Sequence, residues 1–287
     1  MDRKMGITLS AGIQKRKEIM MIRENTDLKS LQKQLEELPK ETVIGEFAGR
    51  DSVAAIMEAL KSPEINHVLP VVTFAPTEYG SEKELEINHQ RMVERVQKLY
   101  GEKKKIYPLI YDSSLPLWRI LNGRNLMSLQ QEYGFYTPCI GCHTYFHLAR
   151  IPLAKALGKK IIAGERESHG GKIKVNQLKV CLDSYQSILE ALGVELLLPI
   201  RKMEKDELIE ELIGWPWAAE EEQPVCLFSG NYRNHEGKAI YDLEKIRHFL
   251  KTYLEPLAIT LGKHYEQQPD IKEKELERIY TNWEAQR

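Results

Sequence analysis

The sequence predicts an α/β protein, a parallel sheet covered by helices on both faces, with a helical extension at each end. Three observations support this. Short apolar runs of strand length alternate with segments of helical period from Thr42 onward, which is the pattern of βαβ crossovers. The runs read as strands buried on both faces, as a helix-covered parallel sheet requires. Finally, the polar clusters follow strands or lie in loops, where ligands bind such sheets.

Residues 1–40 are charged and rich in helix formers; they read as helical packing or an oligomer contact, a homodimer included. The first strand is 42–45. After it, Val53, Ala54, Ile56, Met57 and Leu60 recur at helical spacing, with Asp51 or Ser52 placed to cap the helix. A second strand at 67–74 precedes an amphipathic helix at 81–100, with Leu85, Met92, Val93, Val96 and Leu99 on one side. A third strand is expected at 105–111 and a mixed helical region at 115–133. Beyond the paired cysteines come a helix at 147–157 and a strand at 160–164. A helix at 183–192, a strand at 194–200 and a helix at 205–213 follow. From 238 to 287 the pattern is helical, charged and free of strands. The chain thus divides into 1–40, 41–237 and 238–287.

Lys plus Arg number 41 and Asp plus Glu 42, a net charge of −1, so no overall field drives the chain toward nucleic acid. No apolar run approaches the roughly 18 residues of a spanning helix, so no membrane partner is expected. The N-terminus leads into no apolar core with a small-residue cleavage site. The expected compartment is the cytoplasm. There, four cysteines, two of them as Cys139-Ile140-Gly141-Cys142, are metal, cluster or redox ligands rather than disulfides.

The stretch Glu46-Phe47-Ala48-Gly49-Arg50-Asp51-Ser52 turns a strand abruptly into a helix. Such a turn leaves backbone N–H groups and the positive end of a helix dipole where a phosphate docks; an ordinary strand-to-helix turn has the same pattern. Arg166, His169, Lys172 and Lys174 form a cationic stretch after a strand, suited to pyrophosphate oxygens or to a solvated loop. The C-x-x-C fits iron–sulfur ligation, and equally zinc, a redox dithiol or an incidental loop pair. Cys181 reads as a small buried residue and His143 as structural. Trp215-Pro216-Trp217 reads as packing or a lid.

Residues 47–52 resemble a degenerate Ser-Gly-Gly-x-Asp-Ser loop, the pyrophosphate loop of the PP-loop ATPases, or adenine nucleotide alpha-hydrolases. Gly49, Asp51 and Ser52 match, while Phe47 and Ala48 replace the first Ser and Gly. Cys139, Cys142 and the distant Cys226 resemble the cysteine pattern of the iron–sulfur-dependent tRNA thiolation branch. The resemblance, over residues 42–230, implies a Rossmann-like PP-loop (HUP-type) domain. It implies ATP binding by Phe47, Ala48, Gly49, Arg50, Asp51 and Ser52, with adenine held near Thr73 and Phe74 and Gly164 closing the site. Asp51 would place Mg²⁺ or the helix turn, and Arg166 would offset developing charge. Cys139, Cys142 and Cys226 would hold a [4Fe–4S] cluster. The implied activity is an AMP- and pyrophosphate-forming sulfurtransferase acting on tRNA or a small molecule with a separate sulfur donor. The resemblance favours a tRNA, while the near-neutral charge and the absence of an obvious RNA-binding domain favour a small molecule more than is usual for the family. The rivals are an adenylating amidotransferase or ligase with zinc at the cysteines, and a non-catalytic nucleotide-binding module.

Overall fold

The computed structural model describes residues 25–80, 82–135, 138–217 and 223–287. Most of the expected N-terminal segment lies outside them; its described part carries helix α1 (Leu28–Glu37). The fold is α/β and Rossmann-like. The main sheet holds β1 (Val43–Glu46), β2 (His67–Val72), β4 (Lys105–Ile106), β5 (Ile110–Tyr111), β6 (Lys160–Ile162) and β7 (Glu195–Leu197). Its order is β4-β2-β1-β6-β7, with β5 also on β2, and every pairing is parallel.

Consecutive strand residues face opposite layers. Ile44, Leu69 and Ile161 enter one core cluster; Val43, Val68 and Ile162 enter the other. The second cluster is covered by α2 (Arg50–Ala59), α3 (Glu82–Tyr100) and α9 (Asp206–Ile213), placing these on one face. On the other face lie α6 (Pro138–Ala149), α7 (Ile151–Ala156) and α8 (Lys179–Ala191), with the C-terminal α10 (Leu243–Phe249), α11 (Glu255–Tyr265) and α12 (Glu273–Glu284). Leu254, Leu257, Leu261 and Tyr265 are buried in the same cluster as Leu148 and Leu189. The C-terminal helices are thus part of one α layer. Short helices α4 (Leu115–Trp118) and α5 (Leu126–Tyr133) complete the order before α6.

Several elements differ from the sequence expectation. The third strand is split into β4 and β5 around Pro108, which has no N–H to donate to the ladder. The helix expected at 147–157 is two, and the first begins at Pro138, so both paired cysteines lie on a helix instead of in a loop. Proline is favoured in a first helical turn because the N–H it lacks would be unpaired there. The strand expected at 194–200 shortens to β7, ahead of Pro199. Leu99, expected among the apolar residues of α3, is 50% exposed, while Leu85, Met92 and Val96 point inward. A second sheet has no counterpart in the sequence reading: β3 (Glu78–Tyr79) pairs antiparallel with β8 (Val225–Cys226), Glu78 opposite Cys226.

Candidate active site

Chain connections run from β1 outward through β2 and then cross to β6 on the other side of β1. This switch point splays the loops after β1 and β6 apart and opens a crevice at the strand ends. The cleft found there has a volume of about 760 Å³ and is walled by the loop after β1, Gly164, Arg166, His169, Lys174 and the start of β8.

The loop after β1 is fixed from within. The Ser52 hydroxyl accepts from the N–H groups of Ala48 (2.9 Å) and Gly49 (3.0 Å) and donates to the Gly49 carbonyl (2.7 Å). Gly49 is therefore the N-cap of α2; neither Asp51 nor Ser52 is. Ser52 acts from inside the first turn and is itself buried. The next N–H, of Arg50, points to the Gln223 side-chain oxygen at 3.4 Å. A Cβ built on Gly49 would meet that oxygen at 2.5 Å, so the Gln223 amide occupies the cradle over the loop. Gly164 lies so close under the same turn that a Cβ there would meet the Ser52 nitrogen at 2.5 Å.

Two carboxylates and two guanidinium groups neutralise one another on the cleft wall. Arg166, fully buried, donates to Asp51 (3.1 Å), Asp206 (2.7 Å) and the Met203 carbonyl (3.3 Å). Arg50 donates to Asp206 at 2.9 Å and to Asp51 at 3.4 Å. Asp51 thus faces protein cations on both oxygens, an arrangement that holds Arg166 in place. His169 lies 3.6 Å from Asp51 and hydrogen-bonds Gln177. Burial, then the nearby Lys174 and Arg166 cations, push its pKa down to about 4, leaving the ring neutral at pH 7.

Behind this wall Glu165 is buried between two histidines of α6. His143 Nδ1 is 2.6 Å away and His147 Nε2 3.4 Å, and Gln177 donates to the other oxygen. Burial favours the neutral forms, but the mutual attraction wins: Glu165 is held below the usual carboxylate range and His143 is raised. Asn176 meets His143 on its second ring nitrogen at 2.8 Å. A hydrogen-bonded chain therefore runs from Asn176 through His143, Glu165 and Gln177 to His169, beside the loop. The signal in the sequence was His143 and His147, one helical turn apart and able to face a single carboxylate.

Cys139, Cys142 and Cys226 line a second cavity of about 230 Å³. Glu78, His143, Lys174, Gln177 and Cys226 line both cavities, so the two are adjacent and share a wall. The Trp118 indole N–H donates to the Cys142 sulfur at 3.3 Å and the Phe228 N–H to the Cys226 sulfur at 3.4 Å; the Thr77 hydroxyl also lies 3.4 Å from Cys226. Burial, with the Glu78 charge, raises the Cys142 thiol well above its usual range. A metal that binds there must take that proton. Among the described residues, no three His, Cys, Asp or Glu side chains are already drawn to the spacing of one metal ion; the thiols share the walls of an open cavity. Three thiols with N–H donors aimed at two of the sulfurs fit a cluster that keeps one iron free of protein thiolate. Cys181 is fully buried away from the cavity and donates to the Val175 carbonyl at 3.3 Å.

The structure thus brings Ala48, Gly49, Arg50, Asp51, Ser52, Gly164 and Arg166 to one cleft and the three thiols to the cavity beside it. Phe47, Thr73 and Phe74 stand apart from that lining. Phe47 is buried in the core, and its N–H bonds the Val71 carbonyl at 3.1 Å. Phe74 has its N–H on Ser113 and its carbonyl on Tyr145, and its ring stacks on Tyr111. The buried Thr73 hydroxyl has no hydrogen-bond partner among the described residues.

Fold and site define an α/β protein with a cleft at the strand ends beside a three-thiol cavity. No family model matches the chain. It is 43% identical over 224 residues, 78% of this chain and 80% of the relative, to the uncharacterized protein MJ0009 of Methanocaldococcus jannaschii. The chain belongs to the family of that archaeal protein.

Proposed function

We propose that this chain is an ATP-dependent sulfurtransferase of the PP-loop type. The observation that carries this reading is that the cleft over the loop after β1 lies against the three-thiol cavity, with Lys174, Glu78 and Cys226 lining both. A group activated in the first lies beside the sulfur chemistry of the second. The loop after β1 and the dipole of α2 would receive the phosphates of ATP. A carbonyl oxygen of the substrate attacks the α-phosphorus and pyrophosphate leaves. A sulfur nucleophile then displaces AMP, so C–O becomes C–S. Cys139, Cys142 and Cys226 would hold a [4Fe–4S] cluster, which when bound supplies an iron where sulfide exchanges. Asp51 and Asp206 fix Arg166 and Arg50, and Trp118 and Phe228 orient two of the thiols. The substrate is a small molecule or a tRNA. Among the described residues no helix is long and apolar enough to cross a membrane, and four cysteines, none of them in a disulfide among those residues, fit the reducing cytoplasm.

The test is anaerobic purification with iron, sulfide and zinc analysis. Pyrophosphate and AMP release from ATP is then measured with sulfide and candidate carbonyl acceptors. Stoichiometric zinc without sulfide removes the cluster and leaves an amine-transferring enzyme. Failure to bind ATP removes the adenylation step. A second expectation concerns Gln223, which a docked phosphate must displace from the Arg50 N–H. Gln223→Ala should bind a non-hydrolysable ATP analogue roughly two- to tenfold more tightly, the worth of one neutral hydrogen bond. Calorimetric titration reads this, and weaker binding would mean that Gln223 itself contacts the nucleotide.

A further inference from the structure

We propose that the Lys174 ammonium is the anion-binding group at the junction of the two cavities, and that it takes a phosphoryl group there, the role the sequence pattern suggested for Arg166. The identity of that ligand as the α-phosphate of ATP rests on the functional reading above.

The inference comes from an accounting of charge in the cleft. Arg166 is spent on Asp51 and Asp206, at 3.1 and 2.7 Å. Arg50 is held by the same two carboxylates, with Glu210 at 3.8 Å. His169 is hydrogen-bonded to Gln177 and carries no proton to offer as charge. The Glu165 carboxylate is matched by His143, and Glu46 faces Arg150 at 3.8 Å. Glu78 accepts the Ala75 N–H. Lys174 lines both cavities, as does His143, whose ring is held by Glu165 and Asn176; unlike His143, Lys174 makes no direct hydrogen bond or ion pair with any described residue. Lys174 is partly buried and opens onto the cleft, and burial lowers its pKa against the pull of Asp51 and Glu165. Lys172, two residues away, is exposed beside the hairpin turn and lines the larger cleft only.

The backbone holds Lys174 in place. His169 and Lys172 bridge across Gly170 and Gly171, both at positive φ (60° and 82°), which only glycine adopts without strain. The chain therefore doubles back along the cleft wall. On the far side Val175 is buried in the core, Asn176 is bonded to His143 and Gln177 to Glu165. A cation fixed from both sides, with no carboxylate of the described residues in direct contact, is organised for an anion that arrives from solution.

The experiment compares wild type, Lys174→Met, Lys174→Arg and Lys172→Met by calorimetric titration with AMP, an α,β-methylene ATP analogue and inorganic pyrophosphate, and by thermal melting. Lys174→Met should weaken AMP and the analogue by roughly ten- to a hundredfold, the worth of a charged hydrogen bond. Lys174→Arg should recover part of this, and Lys172→Met should stay close to wild type. Without ligand, the melting temperature of Lys174→Met should equal or exceed that of wild type, since an unpartnered cation is removed; a residue with a structural role would lower it. Unchanged affinities in Lys174→Met alongside analogue binding by wild type overturn the Lys174 assignment and leave the nucleotide reading standing. Pyrophosphate binding that needs Lys174, with no binding of AMP or analogue, keeps the anion site and removes the nucleotide. Wild type that binds none of the three overturns both.

Discussion

Replacing any one of Cys139, Cys142 or Cys226 by serine is expected to strip the anaerobically reconstituted protein of its iron and acid-labile sulfide, while Cys181→Ala keeps both. The three thiols come from distant parts of the chain: two from the first turns of α6 and one from β8, which is pinned beside them by its pairing with β3. All three line one cavity. Cys181 is enclosed by the core and hydrogen-bonded to the Val175 carbonyl. Its loss removes one small buried group and should cost roughly 0.5–1.5 kcal/mol of stability, without touching the cavity. Three thiolates leave one iron open for sulfur, whereas a fourth would close the site and favour electron transfer or a structural role. The readout is iron and sulfide per chain, with EPR of the reduced sample. A Cys181→Ala protein that loses the cluster while Cys226→Ser keeps it would show that the third ligand was misassigned.

The parts of the fold that local pattern determines were legible in the sequence. Apolar runs at 42–45, 67–74 and 160–164 are strands because both of their faces are buried, and the helices between them carry one apolar side. What local pattern cannot carry is partner choice. Glu165 and Arg166 are neighbours in sequence with opposite fates, one locked to α6 and the other to Asp51 and Asp206. The sequence reading assigned charge stabilisation to Arg166 because guanidinium groups do that work in phosphoryl-transfer sites; the carboxylates that engage it lie 115 and 40 residues away. The two-residue β3–β8 ribbon is too short to show a period, yet it sets the third thiol opposite Glu78. The paired cysteines looked like loop residues because Cys-Ile-Gly-Cys has poor helix propensity. The helix there is held instead by burial of Ile140, Tyr145 and Leu148 against the sheet.

Gly164→Ala is expected to abolish nucleotide-analogue binding and to destabilise the protein, although it adds a single methyl group. The added Cβ would lie 2.5 Å from the Ser52 nitrogen, 2.6 Å from the Asp51 carbonyl carbon and 2.7 Å from the Ser52 Cα. All three are backbone atoms of the first turn of α2, so no side-chain rotation relieves the contact. That turn is anchored by the Ser52 hydroxyl to Ala48, and the loop by the Phe47 N–H to Val71. The clash must therefore push the whole helix start away from the end of β6, carrying with it the Arg50 N–H that faces Gln223 in the cleft. Overpacking of this kind costs about 1–3 kcal/mol or more, read as a lower midpoint in chemical denaturation. Gly49 makes the informative contrast. Its Cβ would meet the Gln223 side chain, with the Gln223 oxygen nearest at 2.5 Å, and that side chain can swing into the cleft. Gly49→Val should therefore keep wild-type stability while losing the analogue, because its side chain fills the phosphate cradle. If Gly164→Ala unfolds at the wild-type midpoint and binds the analogue as wild type does, the close packing of the β6 end under the loop is not what holds the site together.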